Sequence, residues 1–93
     1  MKVEFLKSFE KSLKKLHSKS KNNVIEACVK LIGFIEESSA GNKGLGLKRL
    51  QINFWEIRVG IKLRVIFRWE NDHIQFILVG SHDNIKKFLK ENN

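Results

Sequence analysis

The stretch that decides the fold runs from Leu47 to His82 and reads LKRLQINFWEIRVGIKLRVIFRWENDHIQFILVGSH. Apolar and polar residues alternate along much of it, and a repeat of two is typical of a half-buried β-strand. The pattern predicts three strands joined by two tight turns, Val59-Gly60-Ile61 and Glu70-Asn71-Asp72. Gly60 and Asn71 adopt positive φ at low cost, as tight turns require. This stretch is therefore expected to form an antiparallel meander.

The two faces of the predicted meander differ in polarity. In the first strand Trp55, Ile57 and Val59 share the apolar side, and Glu56 and Arg58 share the other. The second strand alternates in the same way, with its polar-side residues being Lys62, Arg64, Ile66 and Arg68. The third strand, from 74 to 79, is apolar at nearly every position, which is typical of a strand that is central or covered on both sides. One face is therefore expected to pack in the core and the other to carry charge.

The residues before the meander are expected to cover its apolar face. Residues 1–5 fit a short first strand with Val3 and Phe5 facing inward, and from residue 7 or 8 Phe9, Leu13 and Leu16 recur at helical spacing. Residues 17–23 form a polar break that offers three candidate caps, Ser20, Asn22 and Asn23. A second helix is expected from 23 to 37, so that the two helices form an antiparallel hairpin on the sheet.

The rest of the chain supplies a connector and a last helix. Residues 38–46, SSAGNKGLG, contain three glycines and are expected to link the hairpin to the meander. Residues 83–91 predict a final helix capped by Ser81 or Asp83. The predicted fold is α+β in the order β-α-α-β-β-β-α, with a small, mainly antiparallel sheet, a helical hairpin on one face and the other face left open. We expect residues 1–93 to form one domain.

Composition narrows the functional classes. The 93 residues include 18 Lys and Arg against 10 Asp and Glu, a net charge of +8 that attracts RNA, DNA or an acidic protein. We expect a cytoplasmic protein, because no secretory signal and no apolar run of about 18 residues is present. Cys28 is expected to be a small core residue. The three histidines lack metal-ligand spacing, so neither a metal nor another cofactor is expected.

The polar face of the meander is the candidate site. Arg58 and Arg64 are expected to point the same way, and His82 follows the last strand. Arginine grips phosphate oxygens and stabilises the charge of a pentacoordinate state, while histidine transfers protons near neutral pH. The simpler alternatives are that either arginine pairs with Glu56 or Glu70 and that His82 caps a turn. The helix lysines are expected to be a solvated face and both tryptophans to be core. The residues alone thus indicate a phosphate-binding α+β domain.

The order of elements and four sequence segments resemble the RelE/ParE toxin superfamily of bacterial type II toxin–antitoxin modules. These segments are VEFLKSFEKSLKKL at the start, then WEIRVG, LRVIFRW and FILVGSH in the meander. The resemblance covers nearly the whole chain. It implies one of two activities. In the RNase branch the ribose 2′-OH of ribosome-bound mRNA attacks the adjacent phosphate without a metal, whereas in the ParE branch the toxin inhibits DNA gyrase by protein binding.

The resemblance also assigns roles to residues. It implies catalytic positions at Arg58, Arg64 and His82, a general-base role for Glu56, and a loosely matched aromatic at Phe88. The residues expected to bind RNA are Lys48, Arg49, Lys62 and Arg68. The chain contains no tyrosine, so the family's terminal catalytic tyrosine is missing and the identity of the general base stays open. An acidic antitoxin is the implied partner, with mRNA and the ribosome, or alternatively gyrase, as the target.

Overall fold

The computed structural model describes residues 1–37 and 46–92. Their elements, in chain order, are β1 (Lys2–Phe5), α1 (Lys7–Lys14), α2 (Ser18–Glu36), β2 (Lys48–Arg49), β3 (Phe54–Val59), β4 (Leu63–Glu70), β5 (His73–Gly80) and α3 (His82–Glu91). The α+β prediction is confirmed. The predicted connector lies outside the described residues except for Gly46. Within residues 1–37 and 46–92, no helix is long and apolar enough to span a membrane.

The described strands form one sheet in the order β1-β5-β4-β3-β2. β3, β4 and β5 are the predicted antiparallel meander, and their turns place Gly60 at φ 65° and Asn71 at φ 50°. β1 pairs in parallel with β5. β2 was not predicted, because two basic residues carry no alternating pattern. Lys48 and Arg49 pair with Glu56 and Trp55 before the chain bends back into β3.

The main core lies between the sheet and the first two helices. The helices contribute four buried side chains, Phe9, Val24, Cys28 and Leu31. The sheet side includes Ile57, Val65 and Phe67, as the alternation predicts, together with Phe76 of β5. Trp55 and Trp69 pack against this core, and their ring centroids lie 5.1 Å apart. Both tryptophans thus contact the core, but each is only half-buried. Burial of Cys28 raises the pKa of its thiol to about 12, because desolvation penalises the thiolate.

The second face of the sheet is covered in part, so the prediction of an open face is wrong. α3 lies across it and buries Ile85 against Ile66 and Ile77. Phe88 of α3 meets Phe54 edge to face, with centroids 5.4 Å apart. Ile66 lies among the polar-side residues of β4, and a buried isoleucine on this face needs an apolar partner. The final helix supplies that partner.

α1 takes the place of a strand along part of one sheet edge. β1 covers β5 only as far as Phe76, and beyond it the backbone of β5 needs other partners. The Ser8 hydroxyl donates to the Ile77 carbonyl at 2.6 Å, and the Val79 N–H donates to the Ser12 hydroxyl at 3.1 Å. Two serines one helical turn apart thus satisfy two backbone groups of the edge and fix α1 beside β5.

Three local predictions need correction. α2 begins at Ser18, five residues before the expected start, so the polar segment is its first turns and Ser20, Asn22 and Asn23 are not caps. No glycine or proline interrupts that segment, and its polar side chains point largely to solvent. Phe5 is 48% exposed, although its ring stacks on Phe76 at 4.9 Å. The Ser81 cap of α3 is confirmed, since its hydroxyl accepts from the backbone N–H of Asn84.

Candidate functional site

Two arginines and one glycine form a row across three strands, which we call the arginine row. Arg58 of β3 is directly opposite Arg64 of β4, and Arg64 is opposite Gly80 of β5. Directly opposed side chains lie on the same face of an antiparallel pair, with Cβ atoms about 4.5–5.5 Å apart. Opposed like charges destabilise a sheet. Two adjacent guanidinium groups on one face form a site suited to an anion.

A buried carboxylate compensates one of the two charges. Nη1 of Arg64 lies 3.3 Å from Oε2 of Glu56, and the side chains are only 18% and 8% exposed. The Nε atom of Arg64 is buried and has no hydrogen-bond partner among the described residues. Arg58, in contrast, is exposed and makes no ion pair within residues 1–37 and 46–92. Arg64 is therefore held in place, whereas Arg58 is available to a ligand.

His82 follows β5 two positions after the glycine of the row. Gly80 is the partner of Arg64, and His82 is the first residue of α3, two positions later. A side chain at Gly80 would meet the side chain of Asn84 at 2.8 Å, and Asn84 completes the capping box with Ser81. Glycine is thus needed for α3 to begin this close to the strand. The side chain of His82 is exposed and makes no hydrogen bond to another described residue.

The structure separates the other predicted RNA-binding residues. Lys48 is exposed and opposite Glu56, on the face of the row. Arg49 instead lies over the Trp55 ring at 5.4 Å and donates to the Ile52 carbonyl at 2.7 Å, on the opposite face. Arg68 shares the face of Arg64 but lies four residues along β4, roughly 13 Å away. Lys48 therefore shares the face of the row one register position away, Arg49 lies on the opposite face, and Arg68 is too far along β4 to join the row.

A second basic group lies where α1, the start of β4 and α3 meet. Lys62, in the turn before β4, lines a cleft of about 670 Å³ together with Lys15 of α1 and Lys87 of α3. We call it the lysine cleft. From the sequence, Lys15 is expected only on a solvated helix face, and no pattern singles out Lys87. Only the placement of α1 and α3 along β5 brings them together, and no spacing in the sequence indicates this.

The far end of the sheet carries a different titratable cluster. Nε2 of His73 is hydrogen-bonded to the Glu4 carboxylate, across the parallel pairing of β1 with β5. This bond, and a weaker one from Gln75 at 3.4 Å, lowers the pKa of Glu4 below its ordinary value. The cluster lies at the opposite end of β5 from Gly80, so it fastens β1 and takes no part in the arginine row. No group of three or more His, Cys, Asp or Glu in the described segments is arranged to hold a metal ion.

No protein-family model and no curated protein sequence matches the chain, so its relationships rest on solved structures. It is similar to a chain of the RelB-RelE antitoxin–toxin complex from Methanococcus jannaschii. The identity is 28%, the match covers 92% of this chain and 98% of that chain, and the TM-score is 0.63. YafQ in the Escherichia coli DinJ-YafQ complex gives a TM-score of 0.67 at 15% identity, covering 89% and 94%. The YoeB dimer from Staphylococcus aureus gives 0.66 at 13% identity, covering 88% and 97%.

These structural matches and the strand order define the fold class of the chain. The chain has the fold of the RelE, YafQ and YoeB toxins, over about nine-tenths of its length. The resemblance inferred from WEIRVG, LRVIFRW and FILVGSH is therefore confirmed.

Proposed function

We propose that the chain is the toxin of a type II toxin–antitoxin module and an endoribonuclease that cleaves mRNA on the ribosome, in the cytoplasm. The observation that carries this proposal is the arginine row, in which two opposed guanidinium groups share one face and one is held by a buried carboxylate. A fold built for stability alone would avoid opposed like charges. The resemblance to RelE, YafQ and YoeB toxins supports the same function.

The arginines bind and stabilise the scissile phosphate. Arg58 is exposed, so its guanidinium takes non-bridging oxygens of the incoming phosphodiester. Arg64 is already oriented by Glu56, and its guanidinium stabilises the charge that develops when the 2′-OH attacks. A donor fixed before the reaction stabilises the transition state without reorganisation at that step. The row thus performs the electrostatic part of catalysis.

His82 supplies proton transfer. Its imidazole follows the row on an anchored helix start and has no protein partner among the described residues, so it is free to protonate the departing 5′-oxygen. Glu56 acts differently from the base role that the resemblance implies. Its carboxylate is buried and occupied by Arg64, so we assign it to positioning Arg64.

The proposed partner is an acidic antitoxin. The M. jannaschii RelE and E. coli YafQ structures are of complexes with RelB and DinJ, and this chain carries a net charge of +8. An acidic partner would be steered toward such a surface, so its association rate should fall steeply as salt is added. Stopped-flow mixing over a range of ionic strength measures this directly. A rate independent of salt would contradict electrostatic capture.

The test of function is to induce the chain without its partner and follow protein and DNA synthesis separately. We expect incorporation of labelled amino acids to stop first while thymidine incorporation continues. Arrest of DNA synthesis with induction of the SOS response would instead indicate a gyrase target, and the nuclease proposal would fail. The matched control is Arg64→Ala, which should permit growth and protein synthesis at the same level of expression.

A further inference from the structure

The lysine cleft is built from three separate parts of the fold. Lys15 comes from the end of α1, Lys62 from the turn between β3 and β4, and Lys87 from the second turn of α3. All three side chains are exposed, and none forms an ion pair within residues 1–37 and 46–92. Glu91 is the one carboxylate among the cleft residues. The cleft therefore carries an uncompensated positive charge of about two.

The floor of the cleft is apolar. It includes Leu63, Leu78 and the half-buried ring of Phe88. Two polar groups of its walls are already engaged, because the Ser12 hydroxyl accepts from the Val79 N–H and the Asn84 side chain caps α3. Charge around the rim with an aromatic and aliphatic floor is the combination that binds single-stranded nucleic acid, whose phosphates and bases lie on different sides of the strand.

The cleft is continuous with the arginine row. Gly80 belongs to both, since it is the register partner of Arg64 and also lines the cleft, and Leu63 directly precedes Arg64. A strand whose phosphate lies at the row thus reaches the cleft by passing the start of α3. We propose that the lysine cleft binds the single-stranded RNA next to the scissile phosphate, with Lys15, Lys62 and Lys87 contacting successive phosphates. This inference rests on the proposed nuclease function.

An acidic peptide is the competing occupant. A peptide bound in extended form needs backbone hydrogen bonds, and the Ser12 hydroxyl and Asn84 Oδ1 are already engaged with β5 and α3, respectively. RNA needs only the lysine charges for its phosphates and the apolar floor for its bases, because base stacking tolerates any sequence. The position of the cleft beside the arginine row also favours RNA, because an RNA strand whose scissile phosphate lies at the row would continue into the cleft.

The experiment compares two triple variants of the full chain that lose the same charge. The cleft variant is Lys15→Gln, Lys62→Gln and Lys87→Gln. The control variant substitutes three exposed lysines outside the cleft, namely Lys11, Lys19 and Lys90. Fluorescence anisotropy measures binding of a 2′-O-methyl oligouridine of about 12 nucleotides, which fits known single-strand sites and lacks the attacking hydroxyl. Circular dichroism confirms that both variants fold.

The cleft variant should bind at least about tenfold more weakly at 0.1 M salt, and its salt slope should fall by about two, as expected for three lost contacts to a single strand. The control variant should change both quantities much less. Equal losses in the two variants would show a non-specific effect of net charge and overturn the proposal. Unchanged RNA binding with lost binding of labelled oligoglutamate would overturn it in favour of an acidic peptide.

The failure of this inference is separable from failure of the proposed function. The oligonucleotide assay does not require cleavage, so the cleft contribution is measured even in a chain without nuclease activity. If Arg64→Ala abolishes mRNA cleavage while the cleft variant keeps full RNA affinity, only the cleft assignment is lost. If the wild-type chain cleaves no mRNA while the cleft variant loses RNA binding, the nuclease assignment fails and the cleft remains an RNA-binding surface.

Discussion

Nη1 of Arg64 lies 3.3 Å from Oε2 of Glu56, in an ion pair that joins neighbouring strands and is largely out of solvent. Removing two charges from water is costly, and a buried pair repays this cost only with good geometry and further hydrogen bonds. Here Nε of Arg64 lacks such a bond. The pair is therefore better explained by the orientation it gives Arg64 than by the stability it adds.

Substituting Glu56 with glutamine separates a positioning role from a general-base role. We expect Glu56→Gln to lower the cleavage rate about tenfold or more, because Arg64 loses its charged partner, while the shape of the pH–rate profile is kept. A base at this position would instead contribute the acidic limb of the profile. Cleavage rates on ribosome-bound mRNA from pH 5 to 9 measure both, and loss of the acidic limb in the variant would contradict the positioning role.

The same pair predicts an asymmetric effect on stability. Arg64→Ala leaves the Glu56 carboxylate buried without a partner and should lower the free energy of unfolding by about 2–4 kcal/mol. Replacing both residues with apolar ones of similar size, Glu56→Leu with Arg64→Met, should recover most of that loss. Urea denaturation provides the values. If the double variant is as unstable as Arg64→Ala, the account of the pair is wrong.

The edge of β5 predicts a second, independent loss of stability. Ser12→Ala leaves the Val79 N–H without its partner, which should cost about 1–3 kcal/mol. Ser8→Ala removes a donor to the Ile77 carbonyl and should cost about 1 kcal/mol. Ser18→Ala, at the exposed start of α2, is the control and should have little effect. Equal unfolding free energies for Ser12→Ala and the control would contradict this role of α1.

Glu4 makes stability depend on pH. Its pKa is lowered in the folded chain, mainly by the hydrogen bond with His73, from an ordinary value of 4.5. Its contribution is therefore complete above about pH 4.5 and is lost as the pH falls through the lower folded value. Glu4→Gln should flatten the decline of stability below that pH. Glu26→Gln, in the surface pair with Lys30, serves as control, and an unaltered acid decline in Glu4→Gln would contradict the assignment.

The sequence was sufficient to predict the meander and the shared face of Arg58 and Arg64, because strand alternation and tight turns are local properties. It also indicated His82 beside the last strand. The sequence alone left open whether Arg64 is free or paired with a glutamate, and the structure shows the pair with Glu56. Choosing between them requires side-chain geometry, which a repeat of two does not determine.

The errors of the sequence analysis concern contacts between distant segments. The cover of the second face depends on Ile85 meeting Ile66, which lie 19 positions apart in the sequence. The lysine cleft depends on β1 pairing in parallel with β5, since that pairing places α1 and Lys15 near α3. The start of α2 was misplaced because polar residues at the beginning of a helix resemble a break when no cap marks the boundary.

The central claim is that the arginine row holds the scissile phosphate, and single-turnover cleavage of ribosome-bound mRNA tests it most directly. Arg64→Ala should slow cleavage by about 10²–10³, the usual effect of losing one preorganised donor to an oxyanion. The Lys19→Ala variant, which changes an exposed residue of α2, should cleave at the wild-type rate. An Arg64→Ala protein that is folded and cleaves as fast as this control would contradict the account.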